Sequence, residues 1–328
     1  MNIPQHRRRA AVQDKAVGSM ETRSLGAIDG TVAVLGLGSM GFGMAASLRR
    51  KGFDVAGFDL RPEVAARFVA EHGGRAVASA REAARDAAAV VVVVVNADQT
   101  EAVLFGAEGI AAELKKGAVI LSCATMAPER ARALAAAAAK LGLHYVDSPI
   151  SGGAQRAAEG ALTVLASGEP EAMAKAEPLL AAVAANVYRL GDEAGIGAAF
   201  KMVNQLLAGV HIAAASEAMV FAGRLGLDLR KVYEVITASA GNSWMFENRM
   251  PHVLDGDYAP RSAVEIFTKD LGIISDMSRT AKFPTPVAAT ALQMFLMTAA
   301  AGMGKDDDSS VARLYAQIAD VDLPKPKT

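Results

Sequence analysis

The sequence holds a single cysteine, Cys123. No internal disulfide can form, which fits a reducing compartment such as the cytoplasm. Neither sign of charge is in surplus: 34 Lys and Arg against 35 Asp and Glu leave a net charge of −1. That balance argues against a surface built to hold nucleic acid or anionic membrane. The most apolar run, residues 87–95, falls far short of the ~20 residues that span a bilayer. The five histidines show no zinc-ligand spacing, so no metal is expected. No fixed-period repeat is evident. Arg7, Arg8 and Arg9 are not followed by the apolar stretch of a secretory signal, and residues 1–30 read as a loose extension. A basic amphipathic targeting segment, or translation from Met20, are the alternatives there.

What is present points to two globular domains: 328 residues, 52% of them apolar and 21% charged. Short apolar strands are expected at residues 32–35, 55–58, 87–95 and 119–122, with helices at 40–50 and 63–71 between the first three. That alternation means βαβ units and a parallel sheet covered on both faces. Six consecutive valines, Val90 to Val95, suit a doubly buried strand, because β-branching favours extended backbone. From about Gly195 the pattern becomes helical, at 200–225, 229–239, 262–282 and 287–301. The first of these would run about 39 Å, long enough to reach from the domain junction through the second domain. The expected division is therefore 1–30 extension, 31–195 nucleotide-binding domain, 196–320 all-helical domain and 321–328 tail.

Three constellations carry chemistry. Gly36-Leu37-Gly38-Ser39-Met40-Gly41 follows the first strand and opens a helix. Its glycines permit a tight turn, a close approach of backbone to a pyrophosphate and tight helix–strand packing. Asp59, at the end of the second strand, stands where a carboxylate takes the adenine-ribose hydroxyls. It would repel a 2′-phosphate, favouring NAD with NADP as a poorer substitute, and Arg61 softens that preference. Second, Lys201, Asn204 and Gln205 are spaced i, i+3 and i+4, so all project from one helix face. In an apolar surround the lysine amine would shift from about 10.4 towards neutrality and accept a hydroxyl proton. A solvated lysine near a helix start is the bland alternative. Third, Asp147-Ser148-Pro149-Ile150-Ser151-Gly152-Gly153 offers the Ser151 hydroxyl and open backbone N–H groups at Gly152 and Gly153 for a carboxylate, or is a plain loop.

The order of these motifs, closed by Phe267-Thr268-Lys269-Asp270-Leu271, resembles the β-hydroxyacid dehydrogenase family, to which 3-hydroxyisobutyrate dehydrogenase is related, over nearly all of residues 31–320. The resemblance implies an N-terminal Rossmann doubly wound parallel sheet, then an all-α domain joined by a long helix. It implies Lys201 as catalytic acid/base, Ser151, Gly152, Gly153, Asn204 and Gln205 on the substrate, Asn96 and Thr125 beside the cofactor, and Lys269 with Asp270 as a pair beside the cofactor and active site. Two departures stand out: Ala124 replaces the usual serine before Thr125, and Gln205 replaces a second asparagine of many members. Residues 201–211 and 240–248 are similar to the branch that acts on L-threonate. Asn242 and Ser243 there would supply hydrogen bonds that a polyol acid needs, while Trp244, Met245 and Phe246 are expected to be packing.

The expected activity is thus NAD-dependent oxidation of a small sugar acid by a homodimer or homotetramer. The alternatives are reduction of tartronate semialdehyde or oxidation of 3-hydroxyisobutyrate on the same scaffold, or a nucleotide-sensing protein without catalysis. Asp306, Asp307 and Asp308 read as a hydrated loop or helix cap.

Overall fold

The computed structural model describes residues 28–326. The extension expected over residues 1–30 lies almost wholly outside the described residues. In chain order come β1 (Val32–Leu35), α1 (Gly41–Arg50), β2 (Val55–Phe58), α2 (Pro62–His72), β3 (Arg75–Ala76), α3 (Ala80–Ala84), β4 (Ala89–Val92), α4 (Ala97–Phe105), β5 (Val119–Ser122), α5 (Pro128–Lys140) and β6 (His144–Asp147). The six strands form one parallel sheet in the order β3-β2-β1-β4-β5-β6. Strand order reverses between β1 and β4, which opens a crevice at the carboxyl ends of the strands, the place where such sheets take ligands.

Alternation along each strand fills both faces. Val32, Val34, Val91 and Leu121 enter one apolar cluster, and Ala33, Leu35, Val90, Val92 and Ile120 enter the other. The valine strand is shorter than the expected 87–95. Its neighbours pair with it only as far as Leu35 and Ser122, so past Val92 the ladder ends, and Val95 is half-exposed in the turn before α4.

Beyond β6 lies a small sheet that the sequence pattern did not disclose. It is built from β7 (Ile150–Ser151), β8 (Leu162–Ala166) and β9 (Ala184–Arg189), with α6 (Gly153–Glu159) and α7 (Pro170–Val183) between them. It is tied to the main sheet's α1 through the Ser47 hydroxyl, which donates to the Ala182 carbonyl at 2.7 Å.

The remainder is helical: α8 (Ile196–Arg224), α9 (Leu229–Thr237), α10 (Trp244–Asp255), α11 (Val264–Ala281), α12 (Pro286–Thr298) and α13 (Val311–Ala319). Of these, α10 and α13 were not anticipated. The 29 residues of α8 span about 44 Å. Two apolar clusters line it in turn. Met202, Ala208 and Ile212 pack with α11 and α12, and Ala215, Met219 and Val220 pack with α10 and α13. By length and composition α8 would cross a bilayer, unlike the run at 87–95, yet half of its most apolar window is packed inside the protein.

The Asp306–Asp308 stretch is no hydrated loop. Asp307 and Asp308 are fully buried. Asp308 pairs with Arg249 at 2.6 Å, and Asp307 accepts from the Ser309 N–H as a helix cap and pairs with His252 at 2.9 Å. This stretch in turn accepts from the first N–H groups of α11, Val264 to Asp306 and Glu265 to Gly304, each at 3.0 Å. A buried ionic staple therefore fixes the start of the helix that carries Lys269 and Asp270.

Candidate active site

The glycine turn after β1 is shaped by backbone crowding. Gly36 has φ of +90°, and a Cβ there would stand 2.4 Å from the Val93 carbonyl oxygen. A Cβ at Gly38, by contrast, would meet nothing within 4 Å, so backbone at that point faces open space. No side chain caps α1, and although the Phe42 N–H is taken by the Gly38 carbonyl at 3.0 Å, this helix end still favours an anion. The adjoining cavity, about 380 Å³, is lined by Leu37, Gly38, Ser39, Phe42, Arg61 and Arg67 among others. Asp59 knits the turn together, accepting from the Leu37 N–H at 2.9 Å, the Arg61 N–H at 3.0 Å and Arg61 Nε at 3.2 Å. Burial pushes its carboxyl up, but the Arg61 and Leu37 hydrogen bonds outweigh it and hold the group below its usual range. The cradle, its carboxylate and the two arginines fit the phosphates and ribose of a nicotinamide dinucleotide.

Lys201 lies on the first turns of α8, and how that helix begins decides where its amine goes. Gly195, at φ of +96°, swings the chain into the helix four residues before the expected start. Asp147 Oδ2 accepts from the Gly195 N–H at 2.9 Å and the Ala198 N–H at 2.8 Å, and Ser167 Oγ accepts from the Gly197 N–H at 2.9 Å. The helix is thereby bolted to the carboxyl ends of β6 and β8. Burial raises the Asp147 carboxyl to about 6, although those N–H groups and Ser167 pull it down. Asp147, read from sequence only as the opening of a loop motif, is thus the cap of the lysine helix.

The Lys201 amine is buried and donates to the Ile150 carbonyl at 2.8 Å, directly before Ser151, Gly152 and Gly153. Burial drives the amine down to about 8. The Asp270 charge pulls it back up, and the Lys269 charge pushes it down. Asp270 is buried and pairs with Lys269. It also accepts from Gln205 Nε2 at 2.6 Å, while Gln205 Oε1 accepts from Asn204 Nδ2 at 2.9 Å. Hydrogen bonds and charge therefore join the α8 face to Ile150, at the head of the Ser151–Gly153 loop, and to the α11 pair.

Asn242 and Ser243 have local partners at the start of α10. Ser243 accepts from the Phe246 N–H as the cap of α10, and Asn242 donates to the Thr237 carbonyl at 3.1 Å and to Glu247. The body of their helix packs at Ala215, Met219 and Val220, while its first turn, through Met245, reaches the cluster that holds Met202, Ala208 and Ile212. Of the neighbouring residues expected to be packing, Phe246 is buried but Trp244 is 51% exposed. Asn96 spends its Oδ1 capping α4 through the Gln99 N–H at 2.8 Å. Thr125 is half-buried in the loop after β5. Cys123 is buried, and burial pushes its thiol up to about 12, which leaves it inert.

Residues 31–191 match the family model for the NAD binding domain of 6-phosphogluconate dehydrogenase, and residues 195–315 match the model described as NAD-binding of NADP-dependent 3-hydroxyisobutyrate dehydrogenase. The L-threonate dehydrogenase of Cupriavidus necator is 54% identical over 88% of this chain and 96% of that protein. That of Escherichia coli K12 is 48% identical over 90% and 97%. A crystal structure from Salmonella typhimurium, described as 3-hydroxyisobutyrate dehydrogenase, is 50% identical, has a TM-score of 0.83, and covers 87% of this chain and all of its own. With a dinucleotide cradle, a buried amine and relatives matched nearly end to end, the chain belongs to the β-hydroxyacid dehydrogenase family and is an NAD-dependent hydroxyacid dehydrogenase.

Proposed function

We propose that this enzyme oxidises L-threonate at C2 to 2-oxotetronate, with Lys201 as the general base. The observation that carries the reading is the Lys201 amine, buried, brought down to about 8 and seated beside the Ser151 loop. A neutral amine takes the proton of the C2 hydroxyl while the C2–H bond breaks. NAD, when bound, accepts the hydride on its nicotinamide ring. The Ser151 hydroxyl and the Gly152 and Gly153 N–H groups hold the carboxylate, and Asn204 takes a hydroxyl. Thr125, Asn96 and Lys269 flank the nicotinamide end, and Gly36 to Gly41 with Asp59 hold the rest. NAD is preferred because a 2′-phosphate would meet the Asp59 carboxylate, and NADP serves less well.

The Salmonella relative favours a second reading, 3-hydroxyisobutyrate as the substrate. NADH formation compared across L-threonate, D-threonate, D-erythronate, D-glycerate and 3-hydroxyisobutyrate, with NMR of the product carbonyl, separates the two. The highest kcat/KM is expected for L-threonate. A higher value for 3-hydroxyisobutyrate or D-glycerate would sink the assignment and leave the family intact.

We also infer a cytoplasmic homodimer or homotetramer whose partners include neither nucleic acid nor membrane. The lone buried Cys123 and the charge balance support this reading, as does a face of α8 left uncovered among the described residues. There Phe200, Val203, Leu207 and Phe221 stand 52%, 64%, 49% and 63% exposed at coiled-coil spacing, the first three as i, i+3 and i+7 and the last at i+21. Light scattering at micromolar concentration should give a dimer or larger, and a stable monomer would rule the pairing out.

A further inference from the structure

An amide side chain offers an oxygen at one corner and an NH₂ at the other, and which one faces a ligand depends on what holds its far side. In the Lys201 pocket that choice is dictated from a charged end. The Asp270 carboxylate is 1% exposed, and its Oδ1 is taken by the Lys269 ammonium. Its Oδ2 has no proton to give, so Gln205 must turn its NH₂ towards it, and Nε2 donates at 2.6 Å. That leaves Gln205 Oε1 as an acceptor on the other side, which only a donor can satisfy. Asn204 therefore gives it Nδ2, at 2.9 Å. By the end of the relay Asn204 has no freedom to flip, and its Oδ1 is left over.

We infer that Gln205 and Asp270 are positioning residues that fix the amide of Asn204, so that substrate meets an oxygen acceptor one helical turn from Lys201. This rests on the functional reading above and deepens it. The acid selected must carry a hydroxyl proton to donate to Asn204 besides the one that Lys201 removes. Asn204 is exposed in the free enzyme, so water satisfies that oxygen until a substrate covers it, and an acid that covers it without donating a proton should lose about tenfold or more in kcat/KM. Gln205 itself touches no substrate; it acts through Asn204.

The test measures kcat/KM for L-threonate against its analogue lacking the C3 hydroxyl and its analogue lacking the C4 hydroxyl, in wild type, Gln205→Met and Gln205→Glu, each checked for folding by circular dichroism. Wild type should favour L-threonate over one analogue by about tenfold or more. Gln205→Met removes both ends of the bridge at constant length. The L-threonate value should fall about tenfold while the analogue's stays within about threefold, so that discrimination collapses. Gln205→Glu keeps an oxygen acceptor for Asn204 Nδ2 and, by sharing one proton with the Asp270 carboxylate, should keep the discrimination even where overall rates fall. Equal losses on both acids in the Met variant would mark a merely structural residue and overturn the inference, as would discrimination lost in the Glu variant. Should Gln205→Met fail to fold, the Glu arm decides alone. A wild-type enzyme silent on L-threonate would refute the substrate instead, and the same variants would then be read on the acid it does oxidise and that acid's deoxy analogues.

Discussion

The nucleotide cradle and the lysine pocket are built from different materials. The cradle is backbone: Gly36 turns where a side chain would strike Val93, Gly38 faces open space, and a single carboxylate, Asp59, braces the turn. The pocket is side chains, and they come from far apart in the chain. Lys201 reaches a carbonyl 51 residues earlier, and Gln205 reaches a carboxylate 65 residues later. Backbone sites hold their ligand with groups that only a proline substitution deletes, whereas a buried amine owes its acidity to every charge around it. Changes in the cradle should therefore alter which cofactor is held, and changes in the pocket should alter whether a proton moves.

The largest effect that separates the two regions is expected from Lys201→Met, which keeps length and removes the amine. Turnover should fall by about 10²-fold or more, while NADH affinity, measured by fluorescence titration, stays near that of wild type. Retained turnover would move the base to another group, with Lys269 next in line. A smaller and opposite pattern is expected of Asp59→Ala. The ratio of kcat/KM with NAD to that with NADP should drop by about tenfold, ~1.4 kcal/mol, with the pH dependence of turnover unchanged. An unmoved ratio would mean that Asp59 serves the turn alone.

The same contrast explains what could be read without coordinates. Gly36 to Gly41 and Asp59 form a short-range pattern, so the cradle and the parallel sheet behind it were legible. Asp147 was not. Its bonds to Gly195 and Ala198 exist only because β6 ends beside the start of α8, and no spacing in sequence encodes that. Gln205 stood in plain view, yet its partner Asp270 comes from a helix three elements later. Ser243 carries a local duty that its motif did not disclose. Polar residues ahead of Trp244 look like substrate partners, but Ser followed by a helix-forming stretch is also an N-cap signature, and Ser243 is that cap. The valine run overstated its strand because side-chain propensity extends past Val92 while the neighbouring ladder does not.

The pH dependence of kcat/KM for L-threonate oxidation between pH 6 and 10 tests the central claim most directly. Oxidation requires Lys201 neutral, and burial has brought its amine down to about 8. The rate should climb through pH 8 and level off above it, the limb should vanish in Lys201→Met, and the reverse reduction, which needs the ammonium, should fall through the same region. A profile flat across this range, or one still rising towards the ordinary lysine value of about 10.4, would contradict a buried Lys201 as the base.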